Sequence, residues 1–166
     1  MTEAGFSPRL REPRERVSPR ARLMWALTAA VEGVVLVAAL AVAGPVSGWL
    51  PVRWWLVGLV ALAVLAYVVV VPRWRYAVHR WEVTGTAVYT QTGWWARERR
   101  IAPMSRIQTV DHVEGAIARL FGLSTVTVTT ASAAGALEIA GLERTRALAL
   151  VDELTLMADS VPGDAT

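Results

Sequence analysis

The chain contains no cysteine, no lysine and no asparagine, and its only histidines are His79 and His112. Missing cysteine excludes a disulfide framework, a thiolate nucleophile and a cysteine metal site. No glycine-rich phosphate loop, zinc-ligand spacing or nucleophile elbow is present either. Positive charge is carried by arginine alone: all 17 basic residues are Arg, set against 14 acidic ones, for a net charge of +3. That balance favours an anionic surface as partner, either a membrane or a nucleic acid.

What the sequence has in excess is long hydrophobic runs. Residues 23–43 and 54–71 are apolar almost throughout. As helices rising about 1.5 Å per residue, each would cross the roughly 30 Å hydrocarbon core of a bilayer. Between them Gly44-Pro45-Val46-Ser47-Gly48 reads as a hairpin turn. The first run is too long for the core of a signal peptide, has no small-residue cleavage site directly behind it, and is followed at once by a second span. Both are expected as retained transmembrane helices, a hairpin over residues 23–71. Lipid is then the nearer anionic partner, and no nucleic-acid partner is expected.

Arginine placement sets the expected orientation. Arg9, Arg11, Arg14, Arg16, Arg20 and Arg22 precede the first run, Arg73, Arg75 and Arg80 follow the second, and Arg53 alone lies between them. Positive residues collect on the cytoplasmic side. A multi-pass plasma-membrane protein with both termini cytoplasmic is therefore expected, with residues 44–53 outside. Trp25 and Trp74 would anchor the inner interface, and Trp49, Trp54 and Trp55 the outer one. Residues 1–22, rich in Arg, Glu and Pro, are expected as a disordered basic segment near the headgroups.

Glu32 is the anomaly of the hairpin. A charged carboxylate near the middle of a span costs at least a few kcal/mol. The same depth on an antiparallel second helix falls near Leu62, where no basic side chain stands, while Thr28 and Tyr67 lie nearer the inner interface. Glu32 is then protonated and bonded to backbone, paired with another subunit or protein, or part of a polar path. A proton relay calls for further polar residues, which are missing. Intramembrane assembly, or plain tolerance, is favoured over transport.

Beyond Pro72 the pattern shifts to short alternating runs of Val, Thr and aromatics, which read as strands. Strands are expected at 74–84, 87–92, 94–102, 106–113, 123–130 and 136–140. Ile117, Leu120 and Phe121 give one apolar helical turn within 116–121, stopped by Gly122. The last segment, 144–158, carries Ala147, Leu150, Val151, Leu154 and Ala158 as one stripe, an amphipathic helix whose stripe is read as core packing. Strands first and a helix last imply a small β-barrel or bent sheet capped by a C-terminal helix over residues 72–158, followed by a disordered tail at 159–166.

Several spaced elements carry a family resemblance. They are Arg106-Ile107-Gln108-Thr109-Val110, then Ala118-Arg119-Leu120-Phe121-Gly122-Leu123-Ser124-Thr125-Val126, with Ile101-Ala102-Pro103 ahead of them. In order and spacing they resemble the bacterial pleckstrin-homology-like (PH-like) domain family found in YdbS-type membrane proteins, and the double span ahead of them matches that architecture. The resemblance implies a PH-like split barrel with a C-terminal capping helix. It implies no reaction, and the basic loop of eukaryotic relatives falls on no particular residues here. Physically the signature reads as scaffold. Phe121 and Leu120 would plug a barrel end, Gly122 would take a left-handed turn, and Ile107 and Val110 would face partly inward. Arg106 and Arg119 are expected to pair with Asp111, Glu114 or Glu138, with contact to a partner or to lipid as the alternative.

Two clusters could carry chemistry. His112 and Glu114 share a strand face beside Asp111, a spacing suited to acid–base work. With no nucleophile or metal-ligand set beside them, a solvated strand edge is the favoured reading, and no catalytic residue, metal or cofactor is expected. Arg97, Arg99 and Arg100, with Arg73 and Arg75, could line a lipid-facing surface, each worth about 1 kcal/mol near anionic lipid. A charged edge strand that deters edge-to-edge pairing explains the same stretch equally well. The expected function is non-enzymatic: an adaptor or assembly module at the cytoplasmic membrane face, with membrane lipids around it and a protein partner, a second PH-like membrane protein or another copy of itself. The alternative is a sensor of anionic lipid headgroups through the arginine surface.

Overall fold

The apolar runs become two packed helices, α1 (Ala21–Ser47) and α2 (Trp54–Val78). The computed structural model describes residues 12–47, 53–93, 95–131 and 135–160. Both helices are long and apolar enough to cross a membrane. Their outer faces bear bare aliphatic side chains, such as Val34 at 67% and Leu62 at 63% exposure, a surface that lipid or another chain must cover. The helices touch closely at Gly33, where an added Cβ would stand 2.2 Å from Val64 Cγ1. A small residue at that crossing lets two backbones approach without a hydrophobic driving force.

Both helices outrun the sequence expectation. Gly44 and Pro45, expected in a turn, continue α1. α2 passes through Pro72 and ends at Val78, so residues 74–78 are helical rather than the start of a strand. Proline removes one backbone donor, which a membrane helix tolerates when side chains satisfy the freed carbonyls. The carbonyl freed by Pro72 is that of Val68, four residues back, and the Arg73 guanidinium donates to the neighbouring Val69 carbonyl in the same turn.

The rest of the chain forms two antiparallel sheets. β1 (Glu15–Arg16), β2 (Arg80–Val83), β3 (Ala87–Thr92) and β4 (Glu98–Pro103) make the first, in sequence order. β5 (Ile107–Val113), β6 (Leu123–Thr130) and β7 (Leu137–Glu143) make the second. A short helix, α3 (Ala116–Leu120), links β5 to β6, and α4 (Arg144–Ser160) closes the domain. Alternation along β6 buries Val126 and Val128, and these meet Trp81, Val88 and Ile139 in one core. Ala147, Leu150 and Leu154 of α4 seal it with no exposed surface, as the stripe implied. Gly122 takes φ +65, the left-handed turn expected after α3. Leu120, however, is 77% exposed, and Phe121 packs against the core without it.

The largest correction concerns the segment before α1. Residues 12–20, within the segment expected to be disordered, are built into the barrel. Glu15 and Arg16 pair with Trp81 and Arg80 of β2, covering that sheet edge. Val17 is 2% exposed, and the Ser18 N–H donates to the Gly141 carbonyl at 2.9 Å. The pull is one valine in the core plus main-chain pairing, which the polar composition of the segment masks. Met24 and Trp25, in the second turn of α1, belong to the same core. Trp25 is thus a buried core residue and not an interfacial anchor, whereas Trp54, Trp55 and Trp74 are exposed. The expectations for residues 1–11 and 161–166, and for Trp49 and Trp94, lie outside the described residues.

Candidate functional site: the junction of hairpin and barrel

Where α2 ends, the chain turns at His79 and enters β2. The His79 ring is 4% exposed and stands 5.6 Å from the Trp25 ring. Its Nδ1 has no hydrogen-bond partner among the described residues. Burial, helped by the nearby Arg75 cation, pushes its pKa down to about 4, so it is neutral near pH 7. One turn earlier, the Arg75 guanidinium lies 4.4 Å over the Trp25 ring, a cation–π contact joining the two helices at their barrel end.

Beside these residues opens a cleft of about 390 Å³, lined by Tyr67, Arg75 and His79 from the hairpin side and by Glu98, Arg100 and Glu138 from the sheets. A narrower groove of about 140 Å³ continues from it along the helices, past Tyr67 and Arg75, to Thr28 and Glu32. Glu32, Thr28 and Tyr67, separate in the sequence reading, thus share one groove with Arg75. Glu32 stays exposed and makes no ion pair among the described residues.

Most of the five arginines expected on a lipid-facing surface are engaged by groups of the chain itself. Arg97 and Arg99 reach Glu12, at 4.0 and 3.1 Å. Arg99 also donates to Gln91, whose amide donates to the Val78 carbonyl at 3.1 Å and so ties β4 to the end of α2. Arg100 pairs with Glu98 at 2.6 Å and donates to the Ala136 carbonyl, bridging the two sheets across the cleft rim. Arg75 lies on Trp25, and Arg73 is on the helix surface. The reason lies in register: Gln91 opposes Arg99 and Thr90 opposes Arg100 in the β3–β4 ladder, which aims these side chains at neighbours.

The acidic–imidazole cluster is likewise internal. Glu114 has Arg144 Nε at 2.9 Å, Arg119 Nε at 3.8 Å and His112 Nε2 at 3.7 Å around its carboxylate. Arg119 thus finds an acid among those expected, and Arg106 stays exposed. The arrangement clamps β5, α3 and α4 together at one end of the barrel. Asp111 accepts a hydrogen bond from Thr109 instead.

Sequence reasoning missed a third feature. Arg20, just before α1, Arg22 in its first turn and Arg73 of α2 line a groove of about 430 Å³. The sequence presents Arg20 and Arg22 as orientation signals and Arg73 also as a lipid-facing candidate, but nothing local shows that residues 20, 22 and 73 meet.

Four strands and three strands folded into a split barrel, closed by a C-terminal helix and carried on two spanning helices, define a membrane-associated PH-like protein. The bacterial PH domain profile matches residues 26–158, and the chain belongs to that family. It is similar to the UPF0699 transmembrane protein YdbS of Bacillus subtilis (strain 168), with 26% identity over 151 residues, covering 89% of this chain and 94% of that protein. No solved structure matches it.

Proposed function

We propose that this protein is a non-catalytic adaptor or assembly module of the plasma membrane, with both termini cytoplasmic. Its hairpin docks a protein partner within the bilayer, a second PH-like membrane protein or another copy of the chain, and nucleic acid is not a partner. Glu32 is the observation that carries this reading. An exposed carboxylate in a groove of the spanning hairpin, without an ion pair among the described residues, is costly in lipid and is relieved when a neighbouring helix covers it with a donor or cation. The aliphatic faces of both helices offer the surrounding contact area.

The test is purification of the full chain from its native membrane in a mild detergent. A stoichiometric partner or a dimer is expected, lost on Glu32→Leu and retained in part on Glu32→Gln, which keeps a hydrogen-bonding group. A clean monomer at native expression level would sink the proposal. The full chain is needed because residues 15–25 complete the barrel, so a fragment starting at Pro72 lacks part of its core.

A further inference from the structure

Arg20, Arg22 and Arg73 meet in one groove without an acid, unlike most arginines of the barrel, of which Arg16, Arg80 and Arg106 alone also lack a carboxylate partner among the described residues. Arg97, Arg99, Arg100, Arg119, Arg144 and Arg146 each have a carboxylate within 4.0 Å. Among the described residues none of the three groove arginines does, and no acidic residue lines the groove. Arg22 instead rests 4.9 Å over the Tyr76 ring and donates from Nε to the Pro19 carbonyl at 3.4 Å. Arg73 uses one donor on the Val69 carbonyl, so each guanidinium keeps most of its five N–H groups for another acceptor.

The position of the groove decides the ligand class. It lies at the barrel end of both spans, where the three arginines adjoin Leu23, Ala26 and Val68 of the apolar helices. Guanidinium groups beside an aliphatic slot match a molecule with an anionic head and a hydrocarbon tail. We infer that this groove binds one anionic phospholipid from the leaflet nearer the barrel, its phosphate held by Arg20, Arg22 and Arg73 and an acyl chain laid along Leu23, Ala26 and Val68. Guanidinium suits phosphate because its forked donors bond two oxygens at once. Basic pockets between spanning helices at the headgroup level are suited to anionic lipid in general. This site is independent of Glu32 and lies away from β4.

The experiment is native mass spectrometry of the full chain in neutral detergent, titrated with phosphatidylglycerol or phosphatidylcholine of matched acyl chains. Retention of phosphatidylglycerol about tenfold or more above phosphatidylcholine is expected, and equal retention overturns the inference. The variant R20Q/R22Q/R73Q should hold phosphatidylglycerol no better than phosphatidylcholine, while R97Q/R99Q/R100Q should bind as the unaltered chain does. Unchanged retention in the first variant overturns the site. Should that variant fail to fold, Ala26→Phe keeps all three arginines and fills the slot, and it too should lose the lipid; full retention there overturns the acyl-chain placement. Glycerol phosphate at equal concentration should not displace the lipid, and displacement would assign the groove to soluble phosphate instead. The oligomeric state is read in the same spectra, so loss of assembly and loss of lipid are told apart.

Discussion

Gly141 of β7 and Ala21, the first residue of α1, are pressed together where the hairpin enters the barrel. Gly141 has φ +81, and a Cβ added to it would stand 2.7 Å from the Ala21 Cβ. The contact coincides with the irregularity in the β6–β7 ladder, where Ser124 faces Leu142 and Thr125 faces Ala140, leaving Gly141 unpaired as a bulge. It joins hairpin and barrel into one packed unit. Gly141→Ala should cost about 1–3 kcal/mol through left-handed strain and the displaced helix. Thermal unfolding in detergent checks this against Gly85→Ala, whose added Cβ meets nothing within 4 Å and which should unfold like the unaltered chain.

Within the hairpin, Gly33→Leu should separate α1 from α2, because the added side chain starts inside the space of Val64. Gly58→Leu adds the same bulk where nothing lies within 4 Å and should be neutral. Thermal unfolding in detergent would report the difference, with a clear loss of stability expected for Gly33→Leu and little change for Gly58→Leu.

His79 makes stability depend on pH with a defined sign. Its folded pKa, about 4, lies below its ordinary value of 6.5, so between those values the unfolded chain binds more protons than the folded one. Stability contributed by this group is whole above pH 6.5 and falls as pH drops toward 4, by roughly 3 kcal/mol at most at 1.36 kcal/mol per unit. Unfolding in denaturant from pH 7.5 to 4 should show this loss, and His79→Leu should flatten the profile over that range.

Glu114 holds one end of the barrel. Glu114→Ala should cost about 1–2 kcal/mol, since it strands Arg144 and Arg119 but both cations are well exposed. Arg119→Ala should cost well under that, because it removes one exposed partner and leaves Arg144 on the carboxylate. Chemical denaturation of the two variants checks this, and equal losses would contradict a carboxylate that holds both cations at once.

Much of the fold is legible in local periodicity. Two runs of hydrophobic residues of bilayer length can only be satisfied as helices in an apolar surrounding, and the Val126–Val128 alternation and the Ala147–Leu150–Leu154 stripe each declare one buried face. Gly122 announces a left-handed turn because other residues meet a steric penalty there. These features depend on neighbours within a few positions, so the sequence by itself determined them. Tertiary structure alone decided which distant groups meet. It brought Val17 and Ala21 against Gly141, laid Arg75 on Trp25, turned Arg97 and Arg99 to Glu12, and gathered Arg20, Arg22 and Arg73 around one groove. Such pairings depend on how helices cross and strands register across the whole chain, and they leave no periodic trace in the residues on either side.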